Sequence, residues 1–238
     1  MLTRDALFNG DLLLHQHKDG YRFSLDAVLL AGLTHVADSD RIIDLGTGCG
    51  VVPLILAHRK RGQEWVGVEI QPELVELAHK NVNINGWDAR ISIVAMDYRE
   101  VASYFLPGIF DLVVSNPPYR RLSTGRINPN RQRALARHEL MASVDDVCAA
   151  AKFLLPIGGR LAVVYPATRL AHLLAAAGRH GFAAKRLTVI HSREGSPASL
   201  VHLECRKAGG EELHIEPPLH IYQADGRFSE AVQQLYQK

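Results

Sequence analysis

Runs of apolar residues alternate with amphipathic stretches along most of the chain, from residue 40 to about residue 206. The apolar runs are short and rich in aliphatic or β-branched residues, which is typical of strands buried on both faces of a parallel sheet. They predict seven strands, at 41–45, 65–70, 91–97, 110–116, 159–166, 186–192 and 199–207. The amphipathic stretches predict helices at 51–60, 72–86, 144–155 and 168–181. We therefore predict an α/β fold with a doubly wound, mostly parallel sheet and an antiparallel last strand, because no convincing helix separates the last two strands.

Two shorter segments flank this core. Residues 12–24 predict a hairpin turned at Asp19-Gly20, and residues 25–33 predict the helix that follows it. Residues 216–238 predict a strand, a turn and a short terminal helix. The chain shows no internal repeat and no low-complexity linker, so we expect a single domain over residues 1–238. Its expected parts are an N-terminal hairpin and helix over 1–39, the core over 40–207 and a C-terminal extension over 208–238.

Composition narrows the class of protein. The chain has 238 residues, of which 47% are hydrophobic and 22% charged, and this balance excludes disordered, collagen-like and coiled-coil chains. No uncharged apolar run approaches the roughly 18 residues of a membrane helix, and the N-terminus lacks the apolar region of a secretory signal. Cys49, Cys148 and Cys205 are odd in number and share no CxxC spacing, which argues against disulfides and structural zinc. We expect a cytoplasmic protein with no metal site and no membrane partner.

A glycine-rich turn follows the first predicted core strand, as DLGTGCG over residues 44–50. In open parallel sheets, ligands bind beyond the carboxyl ends of the strands, and glycines there let a ligand approach the backbone closely. Gly46 and Gly48 match the dinucleotide pattern G-x-G-x-x-G, but the third position is Val51, and Gly50 comes one residue early. Asp44 would repel a pyrophosphate but could pair with an ammonium group. The turn therefore favours a cofactor that carries an amino acid over NAD.

Two further acidic residues end the next two predicted strands. Glu69 lies 23 residues after Gly46, where a carboxylate can accept both ribose hydroxyls, and Asp97 could accept from an adenine amine. Together with Asp44 they predict a nucleoside that carries a cationic amino-acid tail, a description that S-adenosylmethionine fits. The alternative interpretation is that these residues are the helix N-caps and turn residues that any α/β sheet needs.

The tetrad Asn116-Pro117-Pro118-Tyr119 follows the fourth core strand. Two prolines stiffen the turn and remove two backbone donors, which leaves the Pro117 carbonyl free to accept beside the side-chain carbonyl of Asn116. Two converging acceptors suit a planar amino group, because holding its hydrogens localises its lone pair and stabilises the developing charge. Tyr119 would supply an aromatic face for a flipped base. The alternative interpretation is a rigid proline turn that caps a strand.

The positive charge of the chain is concentrated in one window. Its net charge is +2, yet the window from Arg120 to His138 holds six arginines and no acid, which leaves 21 basic against 25 acidic residues elsewhere. Because the window begins directly after Tyr119, it must lie at the rim of the predicted acceptor site, where it would contact the phosphates of a nucleic acid. The candidate RNA-binding residues are Arg120, Arg121, Arg126, Arg131, Arg133, Arg137 and His138.

These motifs carry a resemblance that runs nearly from end to end of the chain. The chain resembles the Rossmann-like class I methyltransferases that use S-adenosylmethionine to methylate the N6 amine of adenine. More narrowly, it resembles the bacterial enzymes of this kind that modify valine tRNA beside the anticodon. The segments that carry the resemblance are GYRFSLDAVLLA (20–31), DLGTGCGVVPL (44–54), GVEIQPELVELA (67–78), DLVVSNPPYRR (111–121), GRINPNRQRALARHE (125–139) and PPLHIYQADGRFS (217–229).

The resemblance implies the fold and a set of site residues. It implies a single Rossmann-like domain with a reversed last strand, and it implies that Arg22, Phe23 and Ser24 close over the methionine end of the cofactor. Asn116 is implied to touch both the cofactor and the target amine, within a catalytic set of Asn116, Pro117, Pro118 and Tyr119. The candidate cofactor-binding residues are Arg22, Phe23, Ser24, Asp44, Gly46, Gly48, Gly50, Glu69, Ile70, Asp97, Tyr98 and Asn116.

The function that we predict is transfer of a methyl group from S-adenosylmethionine to the N6 amine of an adenine in tRNA. The expected partner is tRNA, and no obligate protein partner is inferred. Two alternatives share the tetrad: methylation of guanine N2 in rRNA and methylation of a glutamine side chain in protein. An alternative of a different class is a non-catalytic protein that binds the cofactor or RNA.

Overall fold

The computed structural model describes residues 2–17, 25–59, 61–117 and 143–236, and every structural statement below concerns these residues. Its helices are α1 (Leu25–Leu33), α2 (Val51–His58), α3 (Pro72–Ile84), α4 (Val144–Leu154), α5 (Leu170–Arg179) and α6 (Glu230–Leu235). Its strands are β1 (Leu2–Leu7), β2 (Leu12–His17), β3 (Arg41–Leu45), β4 (Glu64–Glu69), β5 (Ile91–Ala95), β6 (Leu112–Ser115), β7 (Arg160–Pro166), β8 (Phe182–His191), β9 (Ala198–Lys207), β10 (His214–Ile215) and β11 (Leu219–His220). Short 3-10 turns lie at Phe8–Gly10, Tyr98–Ser103 and Ala167–Arg169.

The large sheet has the predicted topology. Its strand order is β10-β8-β9-β7-β6-β3-β4-β5, and β11 also pairs with β8. Five neighbouring strands run parallel to one another, namely β7, β6, β3, β4 and β5. Strand β9 lies between β7 and β8 and runs antiparallel to both. The seven predicted strands are therefore confirmed, together with the reversed last strand. Two strands of two residues each, β10 and β11, pair with β8 in addition and bring the sheet to nine strands within the described ranges.

Helices cover both faces of the sheet. On β3, Ile42 packs in the cluster that includes α1, α2 and α3, while its neighbour Ile43 packs in the cluster that includes α4 and α5. Adjacent residues on one strand point to opposite faces, and both are buried here, which explains the continuous apolar runs in the sequence. The burial on both sides holds the carboxyl ends of β3, β4, β5 and β6 at a fixed edge.

A hairpin that the sequence did not predict lies at the N-terminus. Strand β2 pairs antiparallel with β1, with Leu2 opposite His17 and Leu7 opposite Leu12. The predicted turn at Asp19-Gly20 lies outside the described residues, and the prediction missed β1 altogether. The reason is that Leu7 is the one buried side chain of β1, so the strand gives almost no hydrophobic signal.

The remaining flanking elements agree with the sequence. Helix α1 has the predicted bounds, and the C-terminal extension forms short strands, a turn and α6. Helix α6 packs closely on α1. A Cβ atom added at Gly32 of α1 would lie only 2.8 Å from Leu235 Cδ2 of α6, so the absence of a side chain at Gly32 permits this approach. Across the four described ranges, no helix has both the length and the apolar character needed to cross a membrane.

Candidate functional site

The carboxyl ends of four neighbouring parallel strands meet at one edge of the sheet. Leu45 lies opposite Val68 in the β3–β4 pair, and Glu69 lies opposite Ala95 in the β4–β5 pair. The Ser115 hydroxyl at the end of β6 donates a hydrogen bond of 2.8 Å to the carbonyl oxygen of Leu45. Since parallel strands present their carboxyl ends together, the residues that follow these strands lie along one edge of the sheet.

The glycine-rich loop between β3 and α2 requires its glycines. Gly46, Gly48 and Gly50 have φ angles of 79°, 59° and 81°, a region that side chains disfavour. The backbone amides of Gly46 and Thr47 both donate to the carbonyl oxygen of Val68, at 2.9 Å each. The loop therefore folds back onto the end of β4 and presents its backbone at the edge of the sheet.

Asp44 is a buried carboxylate whose pairing is incomplete. It is 2% exposed, and its Oδ2 atom has no hydrogen-bond partner among the described residues. Burial raises the pKa of Asp44 to about 7, the neighbouring Thr47 side chain opposes the rise, and the charge of Glu69 adds to it. A carboxyl group in this state would gain a partner from a cationic ligand.

Tyr98 provides a second buried polar atom of the same kind. The side chain is buried, its hydroxyl has no partner within the described residues, and a Cβ added at Gly46 would lie 4.0 Å from its ring. Burial raises the pKa of the Tyr98 hydroxyl, so it stays protonated and available as a donor. The unpaired atoms of Asp44 and Tyr98, beside a loop whose glycines permit close approach, fit the amino-acid end of the predicted cofactor.

Glu69 holds the loop and the start of α3 together. Its Oε2 accepts from the Gly48 amide at 3.0 Å, while Oε1 accepts from the Ile70 and Gln71 amides at 3.0 and 2.9 Å. Three of the roughly four lone-pair sites of the carboxylate are thus used by the backbone. Glu69 therefore serves as a brace within the protein, and its contact with a ribose stays a prediction.

Asp97 caps the 3-10 turn that begins at Tyr98. Its Oδ1 accepts from the Arg99 amide at 2.9 Å, and its Oδ2 lies 2.5 Å from Arg99 Nη2. Partial burial would raise the pKa of Asp97, but the hydrogen bonds from Arg99 outweigh it and lower that pKa. Ile70, 36% exposed directly after Glu69, presents an apolar surface at the same edge. The turn-cap interpretation is thus correct for Asp97, and a role toward adenine stays a prediction.

Asn116 and Pro117 follow β6 at this edge, where Asn116 is half-buried and Pro117 is buried. The structure therefore gathers most of the predicted cofactor residues at one place: Asp44, Gly46, Gly48, Gly50, Glu69, Ile70, Asp97, Tyr98 and Asn116. Other predicted site residues lie outside the described residues: Arg22, Phe23, Ser24, Pro118, Tyr119, Arg120, Arg121, Arg126, Arg131, Arg133, Arg137 and His138.

Two residues that support the loop were not found from the sequence. Gly67 in β4 leaves room for Thr47, because a Cβ there would lie 2.9 Å from the Thr47 side chain. Asn81 on α3 is 0% exposed and donates to the Cys49 carbonyl at 3.0 Å. A polar residue within the apolar stripe of a helix is an available signal for Asn81, whereas Gly67 shows none until the loop is in place.

Comparisons with known proteins identify relatives of the chain. Residues 25–175 match the model of the family described as the methyltransferase small domain. The chain is 32% identical over 201 residues to a tRNA1(Val) (adenine(37)-N6)-methyltransferase of Phocaeicola vulgatus, covering 83% of each protein. It is 31% identical over 220 residues to the protein of the same name in Tolumonas auensis, covering 91% of this chain and 88% of the relative.

The fold is also found among solved structures. A predicted O-methyltransferase from Agrobacterium tumefaciens superposes with a TM-score of 0.72 at 24% identity, covering 89% of this chain and 95% of that one. TrmK of M. capricolum, solved with S-adenosylhomocysteine, superposes with a TM-score of 0.57 at 16% identity, covering 82% and 73%. At these identities the superpositions establish the fold.

Proposed function

Because the chain belongs to the methyltransferase small domain family, we propose that it transfers a methyl group from S-adenosylmethionine to the N6 amine of an adenine in tRNA. The observation that carries the proposal is the shared edge of β3 and β6, where Ser115 bonds the end of one strand to the other. The glycine-rich loop and Asn116 therefore lie side by side. Relatives that cover more than four fifths of the chain are named for this reaction.

The cofactor residues divide by the part of the ligand that they suit. Asp44 would accept from the ammonium group, and the Tyr98 hydroxyl would donate to an acceptor atom of the ligand such as its carboxylate. Gly46 and Gly48 allow the backbone to approach, and Glu69 has lone-pair capacity left for one ribose hydroxyl. When bound, S-adenosylmethionine supplies an electrophilic methyl group on a sulfonium centre.

The acceptor side uses two oxygen atoms. The side-chain carbonyl of Asn116 and the backbone carbonyl of Pro117 would accept the two hydrogens of the target amine. This arrangement localises the nitrogen lone pair and stabilises the positive charge that develops during transfer. The product ammonium group is acidic enough to lose its proton to water, so the mechanism needs no general base. Pro118 and Tyr119 complete the proposed set, with Tyr119 stacking on the base.

The nucleic acid would be held by the arginine window. Arg120, Arg121, Arg126, Arg131, Arg133, Arg137 and His138 follow the tetrad and are proposed to contact tRNA phosphates. We place the reaction in the cytoplasm, where three buried free thiols are compatible with a reducing environment.

Methyl-labelled S-adenosylmethionine, supplied with deproteinised tRNA, rRNA and a protein extract, tests the proposal. Label recovered as N6-methyladenosine from tRNA is the expected result, since that is the reaction proposed. Label in protein or in N2-methylguanosine would show that the proposed acceptor is wrong and the proposed cofactor is right. The absence of label from every fraction would contradict methyl transfer.

The variant Asn116→Ala tests the acceptor geometry. We expect methyl transfer to fall about a hundredfold to a thousandfold, on the order of the loss of one preorganised electrostatic group, while tRNA affinity changes little. Single-turnover rates and filter binding measure the two quantities. Activity equal to wild type would contradict the role of Asn116.

A further inference from the structure

Asn81 joins two parts of the molecule that are distant in sequence. Its Nδ2 donates to the Cys49 carbonyl in the glycine-rich loop at 3.0 Å and to the His15 carbonyl in β2 at 3.1 Å. Its Oδ1 accepts from the His15 amide at 2.7 Å. A single buried amide therefore contacts both the loop and the N-terminal hairpin.

The orientation of this amide is fixed by its partners. The His15 amide can be met by an acceptor alone, and the two carbonyl groups of His15 and Cys49 can be met by a donor alone. Asn81 satisfies all three in one of its two flipped positions. Because the side chain is 0% exposed, water does not replace these bonds when they break.

Helix α3 supports the loop at a second point. A Cβ added at Gly50 would lie 3.4 Å from the Ala78 Cβ, one turn before Asn81. On its other side the loop is held by Glu69, which accepts from the Gly48 amide. The residues around Cys49 are thus held between the end of β4 and the face of α3.

Asn85, which directly follows the last residue of α3, makes the hairpin contacts without the loop contact. Its Oδ1 accepts from the Leu13 amide at 2.9 Å, and its Nδ2 donates to the Leu13 carbonyl at 2.7 Å. Two asparagines four residues apart therefore bond alternate residues of β2, as a neighbouring strand would. Of the two, Asn81 reaches the loop as well.

We propose that Asn81 is a positioning residue that couples the N-terminal hairpin to the glycine-rich loop, so that it sets the loop geometry on which cofactor affinity depends. The affinity part of this inference rests on the proposed function, whereas the coupling part does not. Without the Asn81 donor, the buried Cys49 carbonyl loses its partner and the loop relaxes. The matched variant Asn85→Ala weakens the hairpin and removes a bond to the Asn81 main-chain carbonyl, but it leaves the Asn81 side chain and the Cys49 carbonyl paired.

Hydrogen exchange of the full chain without ligand tests the coupling. In Asn81→Ala we expect exchange to quicken about tenfold in peptides covering both 12–17 and 46–50, because an unpaired buried carbonyl favours local opening. In Asn85→Ala we expect the change in 12–17 alone. Equal loop exchange in the two variants would overturn the proposal. If Asn81→Ala does not fold, Asn81→Ser takes its place, because its short hydroxyl side chain keeps a neutral polar group but cannot bond His15 and Cys49 together, and the same exchange pattern is expected.

Calorimetric titration with S-adenosylhomocysteine tests the effect on affinity. We expect the Kd to rise about tenfold in Asn81→Ala and less than about twofold in Asn85→Ala, at similar losses of Tm. Equal Kd changes in the two variants would overturn the affinity part. Failure of the wild-type protein to bind this ligand would instead contradict the proposed cofactor, and the exchange experiment would still decide the coupling.

Discussion

The carboxyl edge of β3 and the antiparallel end of the sheet both bury polar side chains, but they pair them differently. At the antiparallel end, His202 Nε2 lies 3.0 Å from Thr34 Oγ1, and Glu204 Oε1 lies 3.1 Å from Arg186 Nη1. At the carboxyl edge, Asp44 Oδ2 has no partner among the described residues. Burial of a polar group is costly unless it is hydrogen-bonded, so the first region satisfies its polar groups internally, whereas the second is where we propose that a ligand supplies the missing partner.

The pKa values show the same contrast. Burial lowers the pKa of His202 to about 3, and the charge of Arg186 adds to that change, so the ring is neutral at pH 7. The Thr34 hydroxyl donates to the Leu30 carbonyl, which leaves the Thr34 oxygen to accept from His202 Nε2. Burial raises the pKa of Asp44 to about 7, so part of its population carries an uncompensated charge at neutral pH. A ligand that brings a positive charge removes that cost.

Of the substitutions that test this contrast, Asp44→Asn should change cofactor affinity the most. We expect the Kd for S-adenosylhomocysteine to rise by roughly tenfold to a hundredfold, because a hydrogen bond to a charged group is lost. Wild-type affinity should also rise between pH 6 and pH 8, as the carboxyl group ionises, whereas the variant should show no such rise. Calorimetric titration at several pH values measures both. A Kd unchanged by the substitution would show that Asp44 does not hold the cofactor.

The same variant should be more stable than wild type at pH 8. The folded pKa of Asp44 lies above its ordinary value of 3.8, so its stabilising contribution is complete below pH 4 and is lost as pH rises through about 7. The Tm difference between Asp44→Asn and wild type should therefore be near zero at pH 4 and grow to several degrees at pH 8. Scanning calorimetry across this range measures it, and a constant difference would contradict the assigned pKa.

Substitution at the antiparallel end of the sheet should lower stability and leave cofactor affinity unchanged, which is the opposite of what we expect for Asp44→Asn. Thr34→Val leaves the buried His202 Nε2 without its acceptor, which should cost about 1–3 kcal/mol in the free energy of unfolding and leave cofactor affinity unchanged.

His202 itself has a folded pKa near 3, below its ordinary 6.5, so wild-type stability should fall as pH drops from about 6.5 to about 3. His202→Gln should lessen this acid loss. Denaturant titrations at pH 4 and pH 7 measure both effects, and a changed Kd in Thr34→Val would show that the two regions are coupled.

Sequence patterns predicted the scaffold better than the site. Continuous apolar runs located the seven core strands because both faces of the sheet are covered, while β1 was missed because its side chains are mostly exposed. The spacing of Gly46, Gly48 and Gly50 marked the loop, since positive φ angles need glycine wherever the loop lies. The brace formed by Glu69 could not be predicted, because it depends on how closely the folded loop approaches the end of β4.

The smallest expected effect separates the two interpretations of Asp97. Asp97→Ser keeps a side-chain oxygen that can cap the 3-10 turn through the Arg99 amide, because serine is as good a cap as aspartate. Its shorter side chain does not reach an adenine amine that Asp97 would contact.

If Asp97 contacts the cofactor, we expect the Kd of Asp97→Ser for S-adenosylhomocysteine to rise about threefold to tenfold with a Tm change of no more than about 2 °C. The ion pair with Arg99, whose side chain is 40% exposed, contributes little to stability, so its loss does not obscure the result. Arg99→Ala is the matched control, since it removes the ion pair and leaves the carboxylate in place. A Kd that changes equally in both variants would mean that Asp97 acts through Arg99, and an unchanged Kd would mean that it is a turn cap and nothing more.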